Sequence, residues 1–187
     1  MKLLTPSNEY PNGYWLGYDH ANSLEYLEFY KCKKLSTPET RPQMTLTKKV
    51  SLSAFRRYDY FFSDGPDLVS SRLAGIINSS TFADDLQLIS VDVTINGKSY
   101  DDYFIVNYLR MESAIDMTDS LYKPLIKSMP DGPKKFSRIV LLDKTPEIGM
   151  FRASESNSHV IVSDDVAEVF ESNSVKGVEF CSRREGL

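Results

Sequence analysis

Two histidines and two cysteines are present, so the side chains able to act as base, nucleophile or soft metal ligand can be taken one by one. His20 follows Asp19, and a carboxylate beside an imidazole could orient a general base. His159 stands between Ser158 and Val160, at the opening of an apolar run. Cys32 and Cys181 lie 149 positions apart, and neither sits in the glycine-shaped elbow that exposes a catalytic nucleophile. Ser70-Ser71 reads as packing context at a helix start. The adjacent pairs Asp84-Asp85 and Asp101-Asp102 would point to opposite sides of a strand, which prevents chelation by either pair. Histidines at ligand spacing, an HExxH helix, an EF-hand loop and a glycine-rich phosphate loop are all lacking. The residues therefore predict no catalytic set, no cofactor site and no metal site, and both histidines read as structural or simply exposed. Lack of a catalytic constellation favours a binding protein.

Charge gives the first indication of the partner's chemistry. The 187 residues carry 22 basic and 26 acidic side chains, a formal charge of −4. A broad nucleic-acid-binding role is disfavoured, because phosphate recognition needs a basic face. The distribution is uneven: residues 1–60 carry +3, residues 61–120 carry −7 and residues 121–187 balance. The central block includes Asp84, Asp85, Asp101, Asp102, Glu112 and Asp119. Such a block is either a solvated face or a docking surface for a basic partner, where complementary charge steers association. Eleven tyrosines add to the case for an interface, since tyrosine offers large contact area at low entropic cost.

These groups must be positioned by a globular fold. Composition is 41% hydrophobic and 12% aromatic, above the range of disordered chains. No apolar run approaches the ~20 residues of a membrane-spanning helix. Met1–Pro6 has no apolar segment behind its lysine, so no secretory signal is expected, and two thiols in a reducing cytoplasm fit that compartment. Prolines 38 and 42 mark residues 35–45 as a loop, and residues 128–134 form a second break.

Two helices are predicted. The first opens at Ser63-Asp64-Gly65-Pro66 and buries Val69, Leu73, Ile76 and Ile77 along one stripe. The second is capped by Ser163, followed by Asp164 and Asp165 where the helix dipole favours acids, and buries Val166, Val169 and Phe170. Residues 23–34 are ambiguous between helix and strand. Strands are predicted at 89–95, 103–109, 137–142, 148–152, 159–162 and 178–181, with Asn96-Gly97 as a hairpin turn. A plain turn there would oppose Asp92 and Asp101, so a bulge or longer loop is expected around 98–102. Strands outnumber helices without βαβ alternation, which gives an α+β class with a mostly antiparallel sheet. Trp15, with Tyr14 and Tyr18, reads as an aromatic N-terminal strand on the core.

Three segments in order resemble a family of bacterial immunity proteins, the antidote partners of polymorphic toxins. Tyr58-Asp59-Tyr60 followed by Pro66-Asp67-Leu68-Val69-Ser70-Ser71-Arg72-Leu73 is similar to that family's LVSxRL helix start. Tyr103 through Tyr108, then Ala114-Ile115-Asp116 and Ser120, resembles its central pattern. Met150-Phe151-Arg152, then Val160 through Asp165, then Gly177-Val178-Glu179-Phe180, resembles its closing pattern.

The resemblance spans about residues 55–181. It divides the chain into an N-terminal strand and loop region, 1–50, and an immunity-protein-like α+β part, 51–187, within one unit. It implies a protein that binds and neutralises a cognate toxin domain without catalysis, in the cytoplasm, with self-association left open. Partner contacts are expected from Asp84, Asp85, Asp101, Asp102, Glu112, Asp119 and Arg152. Structural roles are expected for Asn107, Asp116, Phe151, Gly177 and Phe180, with Gly177 supplying a left-handed backbone position. The alternatives are a small hydrolase using His20 or His159, and a regulatory or scaffold module unconnected with toxins.

Overall fold

The computed structural model describes residues 1–38 and 40–185. Glu39, in the 35–45 loop, and the last two residues of the 51–187 part lie outside the described residues. The chain begins with β1 (Lys2–Pro6), β2 (Leu16–Tyr18), β3 (Gln43–Leu46), α1 (Leu52–Phe55), β4 (Tyr60–Phe61), β5 (Leu68–Ser70) and α2 (Ser71–Asn78). The long hairpin β6 (Leu86–Ile95) and β7 (Lys98–Tyr108) follows, then β8 (Met111–Glu112), β9 (Leu121–Pro124) and β10 (Lys134–Val140). β11 (Met150–Ala153), β12 (Ser156–Val162), α3 (Asp164–Ser172), β13 (Val178–Cys181) and β14 (Arg183–Glu185) complete it.

The strands form three sheets, ordered β2-β3-β6-β7-β5-β4, β13-β1-β12-β11-β8 and β14-β10-β9. Pairing is antiparallel except between β3 and β6 and between β8 and β11. The α+β class with mostly antiparallel sheets is what the strand pattern predicts. Strands from the first 50 residues are distributed between two sheets: β1 lies between β12 and β13, whereas β2 and β3 extend the six-stranded sheet.

The five-stranded sheet is covered on both faces, and successive side chains alternate between two cores as pleated geometry requires. Leu4, Met150, Val160 and Val162 join the larger core with the six-stranded sheet. Leu3, Phe151, Ala153 and Ile161 join a second core with Ala114, Ile115, Phe136 and Ile139. This explains why residues 148–152 and 159–162 read as near-continuous apolar runs. β6 is covered differently, and its buried Val91, Val93 and Ile95 alternate with part-exposed neighbours.

The first helix begins later than its sequence predicts. Ser63–Pro66 is a turn, in which the Ser63 hydroxyl donates to the Pro66 carbonyl. Val69 belongs to β5, and the cap is Ser70, whose Oγ accepts from the Leu73 N–H at 3.2 Å. Proline and capping residues at 63–66 serve the turn equally well, so local chemistry there does not distinguish the two outcomes. The second helix starts as predicted: Ser163 Oγ accepts from the Val166 N–H, and Val166, Ala167 and Phe170 are buried. Residues 26–30 of the ambiguous segment form a 3₁₀ turn.

At the hairpin, Asn96 (φ 51°) and Gly97 (φ 79°) form a two-residue turn that pairs Ile95 with Lys98. No longer loop is needed. The register shifts where Val93 pairs Tyr100 and Val91 pairs Tyr103, so Asp101 and Asp102 form a bulge opposite Asp92. Arg41 places Nη1 3.5 Å from Asp92 and 3.6 Å from Asp101, which offsets the repulsion between the two acids.

Candidate partner-binding surface

The central acids do not form one cluster. Asp85 immediately precedes β6 and Asp101 lies opposite Asp92, which puts them roughly 20 Å apart at the rise of an extended strand. Most of the block is also engaged within the fold. Asp85 Oδ2 accepts the N–H groups of Gly149 (2.7 Å) and Met150 (3.2 Å), and Arg110 is 3.6 Å from its other oxygen. Arg56 bonds Asp102 at 3.1 Å, and Lys144 reaches Glu112 at 3.5 Å. Asp84, Asp101 and Asp119 are exposed. The block's negative charge in sequence is therefore offset in space by Arg41, Arg56 and Lys144, which come from the flanking thirds.

Arg152 lies on the face of β11 turned to the larger core and is 3% exposed. Its guanidinium stacks 4.2 Å from the ring centre of Tyr30 and 4.8 Å from that of Tyr108. Nη1 donates to the Asn157 carbonyl at 2.7 Å, while the buried Nε has no hydrogen-bond partner among the described residues.

Beside it, Asp67 accepts a 2.7 Å hydrogen bond from Tyr60, whose hydroxyl is also 2.7 Å from that of Tyr108. Desolvation pushes the Asp67 carboxyl up to about 6, against the lowering effects of the Tyr60 hydrogen bond and the Arg152 charge. Trp15, Tyr30, Phe62, Asp67, Arg152 and His159 line an open cleft of about 360 Å³. The sequence reading missed the association of Tyr60, Asp67 and Tyr108 with Arg152. The available signal was a charged residue at an alternate position of an otherwise apolar strand.

The residues expected to be structural occupy distinct places. The Asn107 amide donates to the Lys33 carbonyl and to Gln87, tying β7 to the N-terminal loop. Asp116 Oδ1 accepts the N–H groups of Thr118 and Asp119 and closes the turn before β9. Phe151 is fully buried in the second core, and Phe180, half-buried, packs 5.8 Å from Phe170. Gly177 has φ 115°, and a Cβ there would lie 2.2 Å from the Tyr60 carbonyl oxygen.

His20 packs edge-on against Tyr18 and Tyr26, with Nε2 3.7 Å from Asp64. His159 Nδ1 is 2.8 Å from Ser156 Oγ, and its ring packs on Phe136. Burial pushes the Cys32 thiol up, and the Cys181 thiol donates to the Leu3 carbonyl at 3.9 Å.

A second feature absent from the sequence reading is apolar. Leu121, Tyr122, Leu125, Ile126 and Met129 are each 42–60% exposed, within nine residues of β9 and the turn after it. Scattered exposed apolar side chains are ordinary, but such concentration is a feature of interaction surfaces. Its sequence signal is an apolar set at offsets 0, 1, 4, 5 and 8, a helical stripe that Pro124 and the 128–134 break interrupt.

A family model described as "Immunity protein family (Imm11)" matches residues 9–183. Comparison with curated proteins finds no match.

Proposed function

The chain belongs to the Imm11 immunity protein family, and from that premise we propose that it binds and neutralises a cognate toxin domain through non-catalytic protein contact. Family membership is the observation that carries this reading. The exposed apolar strip at β9 supports it, because tight complexes are anchored by a few apolar side chains within a polar rim. Neutralisation then consists of covering the toxin's active site or substrate channel. We place this activity in the cytoplasm of a bacterium carrying a polymorphic toxin, with the toxin encoded beside the chain.

Among the acidic positions, Asp84 and Asp119 are the outward candidates for contact with a basic part of the toxin, and Asp101 is exposed but lies 3.6 Å from Arg41. Asp85, Asp102 and Glu112 would have to exchange ion pairs they already hold. Arg152 would contact a partner only through a group entering the Trp15 cleft. Titration of the purified chain into the toxin domain encoded next to it tests the reading. A saturable complex that also forms with the double variant His20→Ala/His159→Ala is expected. Absence of any complex with the folded chain would refute it.

A further inference from the structure

We propose that β9 and the turn that follows are the anchor by which this protein holds its toxin, and that the docking element is an extended toxin segment with apolar side chains flanked by carboxylates. The inference rests on the immunity reading and names a surface and a partner chemistry for it.

Three observations converge on this face. The first is an open edge: β9 pairs with β10 on one side and ends the sheet ordered β14-β10-β9 among the described residues. An edge strand presents unpaired backbone groups that an added strand can satisfy. The second is the apolar strip itself, in which Leu125 is 60% and Leu121 53% exposed. The strip is fixed in place. The Tyr122 ring lies 5.5 Å from Phe136, a buried member of the second core. The Leu125 N–H donates to the Pro133 carbonyl at 2.7 Å, and the Met129 N–H to the Ile126 carbonyl at 2.9 Å. A pre-formed apolar surface loses little conformational entropy on binding.

The third observation selects the occupant. Residues 119–138 carry Lys123, Lys127, Lys134, Lys135 and Arg138 against Asp119 and Asp131. Lys123, Lys127 and Lys135 are exposed. Lys134 donates to the Pro130 carbonyl, and Arg138 to the Asp119 carbonyl. The collar is thus positive, in a chain whose overall charge is −4. Antiparallel pairing of β9 with β9 of a second copy would bring two such collars together, an unfavourable cross-strand arrangement. Lysines on an open edge therefore discourage self-pairing and complement a carboxylate-flanked strand.

The test compares binding of the neighbouring toxin domain by the wild-type chain, Leu125→Asp, and the double variant Lys123→Glu/Lys127→Glu. All three positions are exposed, and thermal unfolding will show whether each variant folds like wild type. We expect Leu125→Asp to weaken binding by at least about thirtyfold, the loss typical of a central anchor. The double lysine variant should slow association about tenfold at low salt and reduce its salt dependence. Wild-type affinity in both variants would overturn the proposal while leaving the immunity reading intact. No binding by the wild-type chain would instead refute the immunity reading. A wild-type dimer in sedimentation that Leu125→Asp converts to monomer would assign the edge to a second copy, and would also overturn the proposal.

Discussion

Asp59 and Arg72 form a forked ion pair, with Nε donating to Oδ1 at 2.9 Å and Nη2 to Oδ2 at 2.5 Å. Asp59 does more than hold the arginine. Its carboxylate also accepts from the Ser70 hydroxyl and the Lys176 N–H, and its backbone carbonyl accepts from the Ser70 N–H. Arg72 in turn reaches the Asn173 carbonyl beyond α3. One buried carboxylate thus joins the start of α2, the strand pair β4–β5 and the segment leading into β13. The fork explains why Asp59, Ser70 and Arg72 stand together in the family-like pattern: Ser70 and Arg72 are both partners of Asp59.

Asp59→Asn removes the acceptor charge and leaves Arg72 without its counter-ion. Arg72 is 49% exposed, so water will compensate part of the loss, and we expect destabilisation of about 2–3 kcal/mol, at or below the range for fully buried pairs. Arg72→Lys should lose part of the same stability, because an ammonium cannot reproduce the fork. Denaturant unfolding of the three proteins measures both differences. Equal stability of wild type and Asp59→Asn would contradict the assigned role.

Gly177→Ala tests the backbone crossing beneath β4. The position combines φ 115° with a Cβ 2.2 Å from the Tyr60 carbonyl oxygen, so alanine is strained in conformation and also clashes with backbone. A loss of about 3 kcal/mol or more is expected, read as a lowered denaturation midpoint. Gly97→Ala, with φ 79° but nothing within 4 Å of its Cβ, should cost only about 1 kcal/mol.

Asp67 gives a pH dependence of definite sign. Its carboxyl keeps its proton up to about pH 6 in the fold, whereas an unfolded aspartate loses it near pH ~3.9. Between those values the native chain binds more protons than the unfolded chain. The group's contribution to stability therefore falls as pH rises through that window, by up to about 2–3 kcal/mol, and is flat above it. Asp67→Asn cannot titrate, so its stability relative to wild type should rise over the same interval and then level off. Parallel stability curves for the two proteins across about pH 4 to 7 would contradict the desolvated carboxyl.

Much of the fold was legible because local and global signals agree. Ser163 with Asp164 and Asp165 caps α3, and Asn96-Gly97 makes the two-residue turn. At Ser63–Pro66 the same residue types serve a turn or a cap, and only the pairing of Leu68–Ser70 with β7 decides between them. The site was less legible for a related reason. Charge counted along the chain treats Asp102 and Glu112 as free acids, whereas Arg56 and Lys144, 46 and 32 positions away, neutralise them in space. The burial of Arg152 depends on a sheet covered on both faces, which no local pattern announces. The β9 strip is recognisable as an edge only from the sheet order.

Growth of cells producing the neighbouring toxin domain is the sharpest test of neutralisation by binding. Co-production of this chain is predicted to restore growth, and the His20→Ala/His159→Ala variant should restore it equally. Toxicity undiminished by an abundant, folded wild-type chain would contradict neutralisation by this protein.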